Sequence, residues 1–248
     1  IQGSSFNGNG RTCGTCHREN KNLTIDPEFI ATLPPNDPLF VAEFIPALAV
    51  NFEKPELMRK FGLILENVDG FENPGVMRGV PHTLALLQNT LTPANILPFA
   101  DGTTTPPNER TGWGGDGAPG TGTLREFIIG AITQHYPKTL NRGSREGKDF
   151  IFPTIARMDT RGAFMKSTGR REDLVLTGPD ALSLKSEVAA KGQQLFNDPR
   201  KGKCFACHLN AGASNDGVHN ANFNTNVEGL PNQAARLVDP TIPHDGGF

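Results

Sequence analysis

The hydrophobic positions of the chain follow the spacing of helices, and no segment shows the alternation typical of strands. The first predicted helix starts at Pro55, because proline favours the first turn, and it continues through Val68. Its apolar face would consist of Leu57, Phe61, Ile64 and Leu65. We therefore expect one amphipathic helix in this part of the chain.

Two further helices are predicted later in the sequence. Thr123 and Glu126 have the spacing of a capping box at the start of one helix, and Pro137 ends it. Its apolar face would consist of Leu124, Phe127, Ile128, Ala131 and Ile132. The other helix begins near Pro179 and stops near Asn197. Its apolar positions are Leu182, Val188, Ala189 and Leu195.

The amino-acid composition indicates long loops between these helices. The chain has 28 Gly and 20 Pro, and hydrophobic residues make up only 36% of it. The segment from 101 to 122 is rich in Gly, Pro and Thr and contains the only tryptophan, Trp113. We expect a mostly α protein with long Gly/Pro-rich loops.

Charge and hydropathy exclude two classes of partner. The net charge is -2, which does not favour nucleic-acid binding, and no run of about 18 apolar residues predicts a membrane span. Basic residues are concentrated between Lys138 and Arg171, where only three acids are present. This region is either a solvated loop face or a set of cations that bind haem propionates or an acidic redox partner.

The cysteines carry the clearest chemical information. All 4 cysteines lie in two copies of Cys-x-x-Cys-His, namely Cys13–Cys16–His17 and Cys204–Cys207–His208. With this composition, one chance match has a probability on the order of 10⁻³, so two are not a coincidence. Cysteines three apart share one face of a helical turn and can reach both vinyl groups of a porphyrin, and the following histidine can ligate iron.

Three other uses of these cysteines are less consistent with the sequence. A thioredoxin-like pair does not need the following histidine, and zinc modules place their ligand pairs much closer together. A disulfide framework is typical of a smaller scaffold. We therefore predict two covalently attached haem c groups, which bacteria attach outside the cytoplasm, so a periplasmic or extracytoplasmic location is expected.

The two motifs also suggest two cytochrome c-like haem domains. The first would comprise residues 1–170 with insertions, and the second would comprise residues 171–248 and be incomplete at its C-terminus. Little chain precedes Cys13 and few residues follow His208, so both ends are expected to belong to a longer precursor.

The order of the motifs resembles the bacterial dihaem cytochrome c peroxidase and MauG superfamily. Between the haem motifs, the segment from Arg78 to Leu84 is similar to the family's Arg-x-x-Pro-Thr-Leu segment. The segment Trp113–Asp116 is similar to its Trp-Asp-Gly loop, and Thr123–Ile132 to its following helix. The resemblance covers most of the chain.

The resemblance implies roles for several residues. His17 and His208 would be proximal iron ligands, and Trp113 would relay electrons between the haems. Met77 or His82 would be the distal ligand of the first haem, because the family places this segment against that iron. A calcium ion between the domains is a further expected cofactor. The expected partners are hydrogen peroxide and a small electron donor of cytochrome c or cupredoxin type.

The chain departs from the family pattern in the helix that follows the loop. Phe127 stands where the family usually has Gln, and Ala131 stands where it has Pro. No glutamate matches the family's acidic residue, but His135 is close to that place and could act as an acid–base catalyst or ligate iron. The leading prediction is a dihaem peroxidase-like oxidoreductase. The alternatives are a non-enzymatic electron carrier and a MauG- or rubber-oxygenase-like enzyme that oxidises a larger substrate.

Overall fold

The computed structural model describes residues 6–49, 53–66, 71, 76–86, 124–144, 147–169, 183–202 and 204. Within these residues the chain is mainly helical, with one two-stranded sheet. The predicted boundary between residues 170 and 171 lies outside the described residues, so the division into two haem domains stays a prediction. No helix among the described residues is both long and apolar enough to cross a membrane.

Short helices build the first part of the structure. They are α1 (Cys13–Cys16), α2 (Pro27–Ile30), α3 (Val41–Phe44) and α4 (Pro55–Phe61), with 3₁₀ turns at Glu19–Lys21, Pro38–Phe40 and Pro46–Leu48. Proline lies in the first turn of four of these elements, where a backbone N–H would have no hydrogen-bond partner within the helix. Asp26 and Asp37 precede two of the prolines and accept backbone N–H groups from Phe29 and Leu39. Local sequence therefore sets these short helices.

The predicted helix from Pro55 to Val68 is wrong in its second half. Helix α4 ends at Phe61 because Gly62 takes a left-handed conformation, with φ at 70°, and its N–H donates to the Met58 carbonyl. Strand β1 (Leu63–Glu66) follows and pairs antiparallel with β2 (Val76–Gly79). The expectation of no strands is therefore also corrected.

Two longer helices pack together in the middle of the chain. The predicted helix after the Gly-rich loop is confirmed as α5 (Leu124–His135), with Leu124, Ile128 and Ile132 buried. Helix α6 (Ile155–Ser167) lies in the basic region, which we had expected to be a loop. Only a narrow stripe of α6 is covered, because seven of its 13 positions are exposed and only Met158 and Gly162 are buried.

Hydrophobic clusters hold these elements together. One cluster joins α5 and α6 to the start of the chain and contains Phe6, Ile128, Ile132, Tyr136, Phe150 and Met158. Another joins the short helices to β1 and contains Ile25, Ile30, Leu39, Phe40, Met58 and Ile64. Cys16 packs against the second cluster. The core therefore reaches the first Cys-x-x-Cys-His motif directly.

Helix α7 (Glu187–Asn197) precedes the second motif. Its predicted end near Asn197 is confirmed, but it begins after Ser186, whose hydroxyl accepts the Ala189 N–H at 3.1 Å. The segment from Pro179 to Leu182 lies outside the described residues. On α7, Val188 is 81% exposed and Leu195 is 51% exposed. The predicted apolar face is therefore not covered by the described residues.

Candidate functional site

The first motif forms the single helical turn α1. Its N-cap Thr12 donates a backbone N–H to the Thr15 hydroxyl at 3.0 Å, which fixes the start of the turn. Cys13 and Cys16 are the first and last residues of the turn, and His17 follows directly. The arrangement has the spacing that attachment to a porphyrin requires.

His17 is held by one ring nitrogen. Nδ1 lies 2.7 Å from the carbonyl oxygen of Leu23. A carbonyl can only accept, so Nδ1 carries the proton and Nε2 keeps its lone pair for a metal ion. Burial lowers the pKa of His17, the Leu23 hydrogen bond opposes this shift, and the nearby His135 lowers it further. The environment therefore favours the neutral imidazole that binds metals.

The two sulfur atoms of the first motif differ in their surroundings. Cys13 is exposed, and its Sγ accepts the Tyr136 hydroxyl at 3.3 Å. Cys16 lies against the second cluster, and burial raises the pKa of its thiol to about 12. Reactive thiols need the opposite shift, so Cys16 is not an activated thiolate. Cys13, Cys16 and Cys204 all have free thiols in the structure.

A buried ion pair anchors the chain just before the motif. The Arg11 guanidinium donates to both carboxylate oxygens of Glu53, at 2.6 and 2.7 Å, and both side chains are fully buried. Arg11 also donates to the carbonyl oxygens of Pro38 and Leu39. The pair was not predicted, because Arg11 and Glu53 meet only through the tertiary fold. It ties the residues before Cys13 to the segment that precedes α4 and to the 3₁₀ turn at Pro38–Phe40.

His135 lies at the end of α5 and forms a pair with Glu66 on β1. Its Nε2 is 2.9 Å from a Glu66 carboxylate oxygen, so Nε2 is the donor and Nδ1 is the acceptor of the neutral ring. Nδ1 is buried and has no hydrogen-bond partner among the described residues. The backbone carbonyl of His135 accepts the Asn9 side-chain amide at 2.9 Å, and the next residue, Tyr136, contacts Cys13, so His135 lies near the first motif.

Tyr136 links α5 to the motif and was also missed by the sequence analysis. It is the only tyrosine of the chain, it is 5% exposed, and its ring lies 4.6 Å from that of Phe6. The Tyr136 hydroxyl donates to the Cys13 Sγ, and burial raises the pKa of Tyr136 well above its ordinary value. Nothing in the local sequence distinguishes Tyr136 from an ordinary residue at a helix end.

The segment with the two predicted distal ligands also lies beside the motif. The hydroxyl of Thr24, next to Leu23, donates to the Val80 carbonyl. Met77 is half-buried on β2 opposite Leu65, and His82 is exposed, with its Nδ1 accepting the Leu84 N–H at 3.3 Å. The contact between Thr24 and Val80 brings this segment beside the loop that orients His17, and the distal-ligand roles of Met77 and His82 stay predictions.

The second motif is described only at its first residue. Cys204 is half-buried, and its Sγ donates to the Gly202 carbonyl at 3.3 Å. Cys207 and His208 lie outside the described residues, as does Trp113. In the described part of the chain, no three His, Cys, Asp or Glu side chains are grouped to hold a metal ion. The predicted calcium ion therefore stays a prediction.

Comparison with models of known protein families, with curated proteins and with solved structures finds no match for this chain. The function of the chain is therefore inferred from its residues and their geometry.

Proposed function

We propose that this chain is a c-type haem protein with one haem attached at each Cys-x-x-Cys-His motif. The observation that carries the proposal is the geometry of His17, whose Nδ1 is fixed by Leu23 and whose Nε2 is left for a metal ion. The residues fit the group. Cys13 and Cys16 have free thiols at the two ends of one helical turn, and the adjacent imidazole is held in its coordinating form.

The residues that would hold the first haem are therefore Cys13, Cys16 and His17, and by sequence analogy Cys204, Cys207 and His208 would hold the second. A bound haem would supply one-electron redox chemistry and, with a vacant sixth position, a site for hydrogen peroxide. Because haem c is attached outside the cytoplasm in bacteria, the proposal includes a periplasmic or extracytoplasmic location. A small redox protein would be the electron donor.

We further infer that the activity is peroxidase-like and that His135 transfers protons during peroxide reduction. Nδ1 of His135 can accept a proton, since Nε2 already donates to Glu66. The carboxylate of Glu66 orients the ring and stabilises the imidazolium that forms, as in other histidine–carboxylate pairs. The electron relay assigned to Trp113 rests on the family resemblance alone.

The first experiment measures the cofactor. Intact mass of the mature protein after acid denaturation should show two covalent haem groups, because thioether bonds survive unfolding. Fewer than two haems on fully matured protein would contradict the proposal. The absorption spectrum then separates enzyme from carrier, since a peroxidase needs one high-spin iron with an open position, whereas an electron carrier has two low-spin irons.

The second experiment tests the activity. His135→Gln should lower peroxide turnover by about 10²–10⁴-fold, the usual contribution of a general acid–base group, with haem content unchanged. Glu66→Gln should lower it less, because the ring keeps a hydrogen-bond partner. Glu43→Gln, in an exposed ion pair with Arg59, is the matched control for Glu66→Gln and should leave turnover unchanged. Full turnover in His135→Gln would remove the acid–base role, and no turnover in the parent protein would favour the electron carrier.

A further inference from the structure

A basic cleft lies in the connection between α5 and α6. It is open to solvent, has a volume of about 730 Å³ and is separate from the contacts that hold His17. Its described lining residues are Lys138, Thr139, Asn141, Arg142, Gly143, Ser144, Lys148 and Asp149. The volume is in the range of small-molecule sites, and three of these side chains are cationic.

Asp149, the acidic residue among these described lining residues, stabilises the loop. Asp149 is 4% exposed, and its carboxylate accepts the Thr139 hydroxyl at 2.8 Å and the Gly143 N–H at 2.6 Å. Its backbone also pairs with Gly143 and Lys138. Asp149 therefore stabilises the loop conformation that forms the cleft, and both of its carboxylate oxygens already accept hydrogen bonds from within the loop.

Arg142 has the clearest unmet hydrogen-bonding capacity in the cleft. Its guanidinium lies over the Phe71 ring at 3.9 Å, and Nη1 donates to the Leu140 carbonyl at 3.1 Å. Its Nε is buried and has no hydrogen-bond partner among the described residues. Burial also lowers the pKa of Arg142, although Asp149 opposes the shift. The guanidinium lines the cleft, and a bound anion would offset its half-buried charge and offer acceptors to its remaining N–H groups.

We propose that this cleft is an oxyanion site that binds a carboxylate or phosphate group through Arg142, with Lys138 and Lys148 adding positive charge. Arginine suits the task because its planar donors match the oxygens of carboxylates and phosphates. The chemistry could come from two sources, a free small anion or the propionate groups of the first haem. The second source, which rests on the proposed haem, is included because Tyr136 contacts Cys13 and is two residues before Lys138.

Titration calorimetry on the haem-loaded chain tests the free-anion source. The probes are inorganic phosphate and citrate at constant ionic strength, with chloride as the comparison anion. Arg142→Gln should weaken their binding about tenfold or more, the usual effect of losing a charge-assisted hydrogen bond. Lys191→Gln, on the exposed face of α7, is the matched charge control and should bind as the parent does. The double substitution Lys138→Gln and Lys148→Gln repeats the test without disturbing Arg142.

The propionate source gives a different result. If propionates fill the cleft, the haem-loaded chain does not bind the probes, but Arg142→Gln lowers the midpoint potential of one haem because a nearby positive charge is lost. Lys191→Gln should leave that potential unchanged. If neither variant of the cleft weakens probe binding or lowers a potential more than Lys191→Gln does, the oxyanion site is overturned. Anion binding by a chain that carries no haem would support this site while the haem proposal fails.

Discussion

Glu53→Gln should destabilise the protein strongly, because it breaks the buried ion pair that anchors the first motif. The substitution keeps the shape and one acceptor oxygen but leaves the fully buried Arg11 guanidinium without its counter-charge. Removing one partner of a buried pair typically costs about 3–5 kcal/mol of the free energy of unfolding. The glutamine oxygen can still accept one hydrogen bond, so we expect a value near the lower end, about 3 kcal/mol.

A surface pair in the same region provides the control. Arg59 donates to both carboxylate oxygens of Glu43, at 2.9 and 3.1 Å, but the two side chains are 40% and 33% exposed. Glu43→Gln makes the same chemical change. It should lower the free energy of unfolding by less than about 1 kcal/mol, because exposed charges are nearly as well stabilised by water as by each other. The guanidinium of Arg59 also keeps its position over the Phe40 ring.

Urea unfolding of the haem-loaded chain, followed by far-ultraviolet circular dichroism, measures the two costs. The midpoint should fall much further for Glu53→Gln than for Glu43→Gln, with the slope of the transition unchanged. Added salt should reduce the effect of the surface substitution and leave that of the buried one nearly constant. Equal costs for the two substitutions would refute the reasoning, since burial would then have no energetic consequence.

Three other predictions follow from the sequence and the structure. Cys204→Ser should weaken or remove one of two haem attachments and leave the other intact, which intact mass after acid denaturation will show. Ile132→Ala, at 1% exposure, should lower the free energy of unfolding by about 2–5 kcal/mol, whereas Ile151→Ala, at 49% exposure, should change it by less than about 1 kcal/mol. If Trp113 relays electrons, Trp113→Phe should slow the oxidation of the reduced protein by peroxide in stopped-flow measurements, while the thermal midpoint changes little. Unaltered electron transfer in the folded variant would leave the tryptophan only a structural role.

The sequence predicts those elements whose signals are local. Helix α5 was predictable because its apolar positions repeat over a long segment. Helix α4 was predicted too long, because Ile64 and Leu65 continue its hydrophobic spacing as well as they fit a strand. The conformation of Gly62 decides between the two, and a helical pattern alone does not reveal it.

The residues of the candidate site also differ in whether local sequence could predict them. Cys13 and His17 could be identified because their chemistry depends on spacing within a few residues. The pairing of His135 with Glu66 joins residues far apart in sequence, so only the fold brings the carboxylate to the ring. The contact of Tyr136 with Cys13 has the same origin, and no local pattern could have predicted it.

The backbone contacts around Tyr136 have a consequence for the order of folding. The N–H of Asn9 donates to the Tyr136 carbonyl at 2.9 Å, and the N–H of Ile151 donates to the Phe6 carbonyl at 2.6 Å. Closing such long loops is entropically costly and slow, so these contacts should form late. During synthesis, the turn with Cys13 would emerge well before the segment that carries Tyr136. We expect a time window before this segment docks in which Tyr136 does not yet contact the Cys13 thiol.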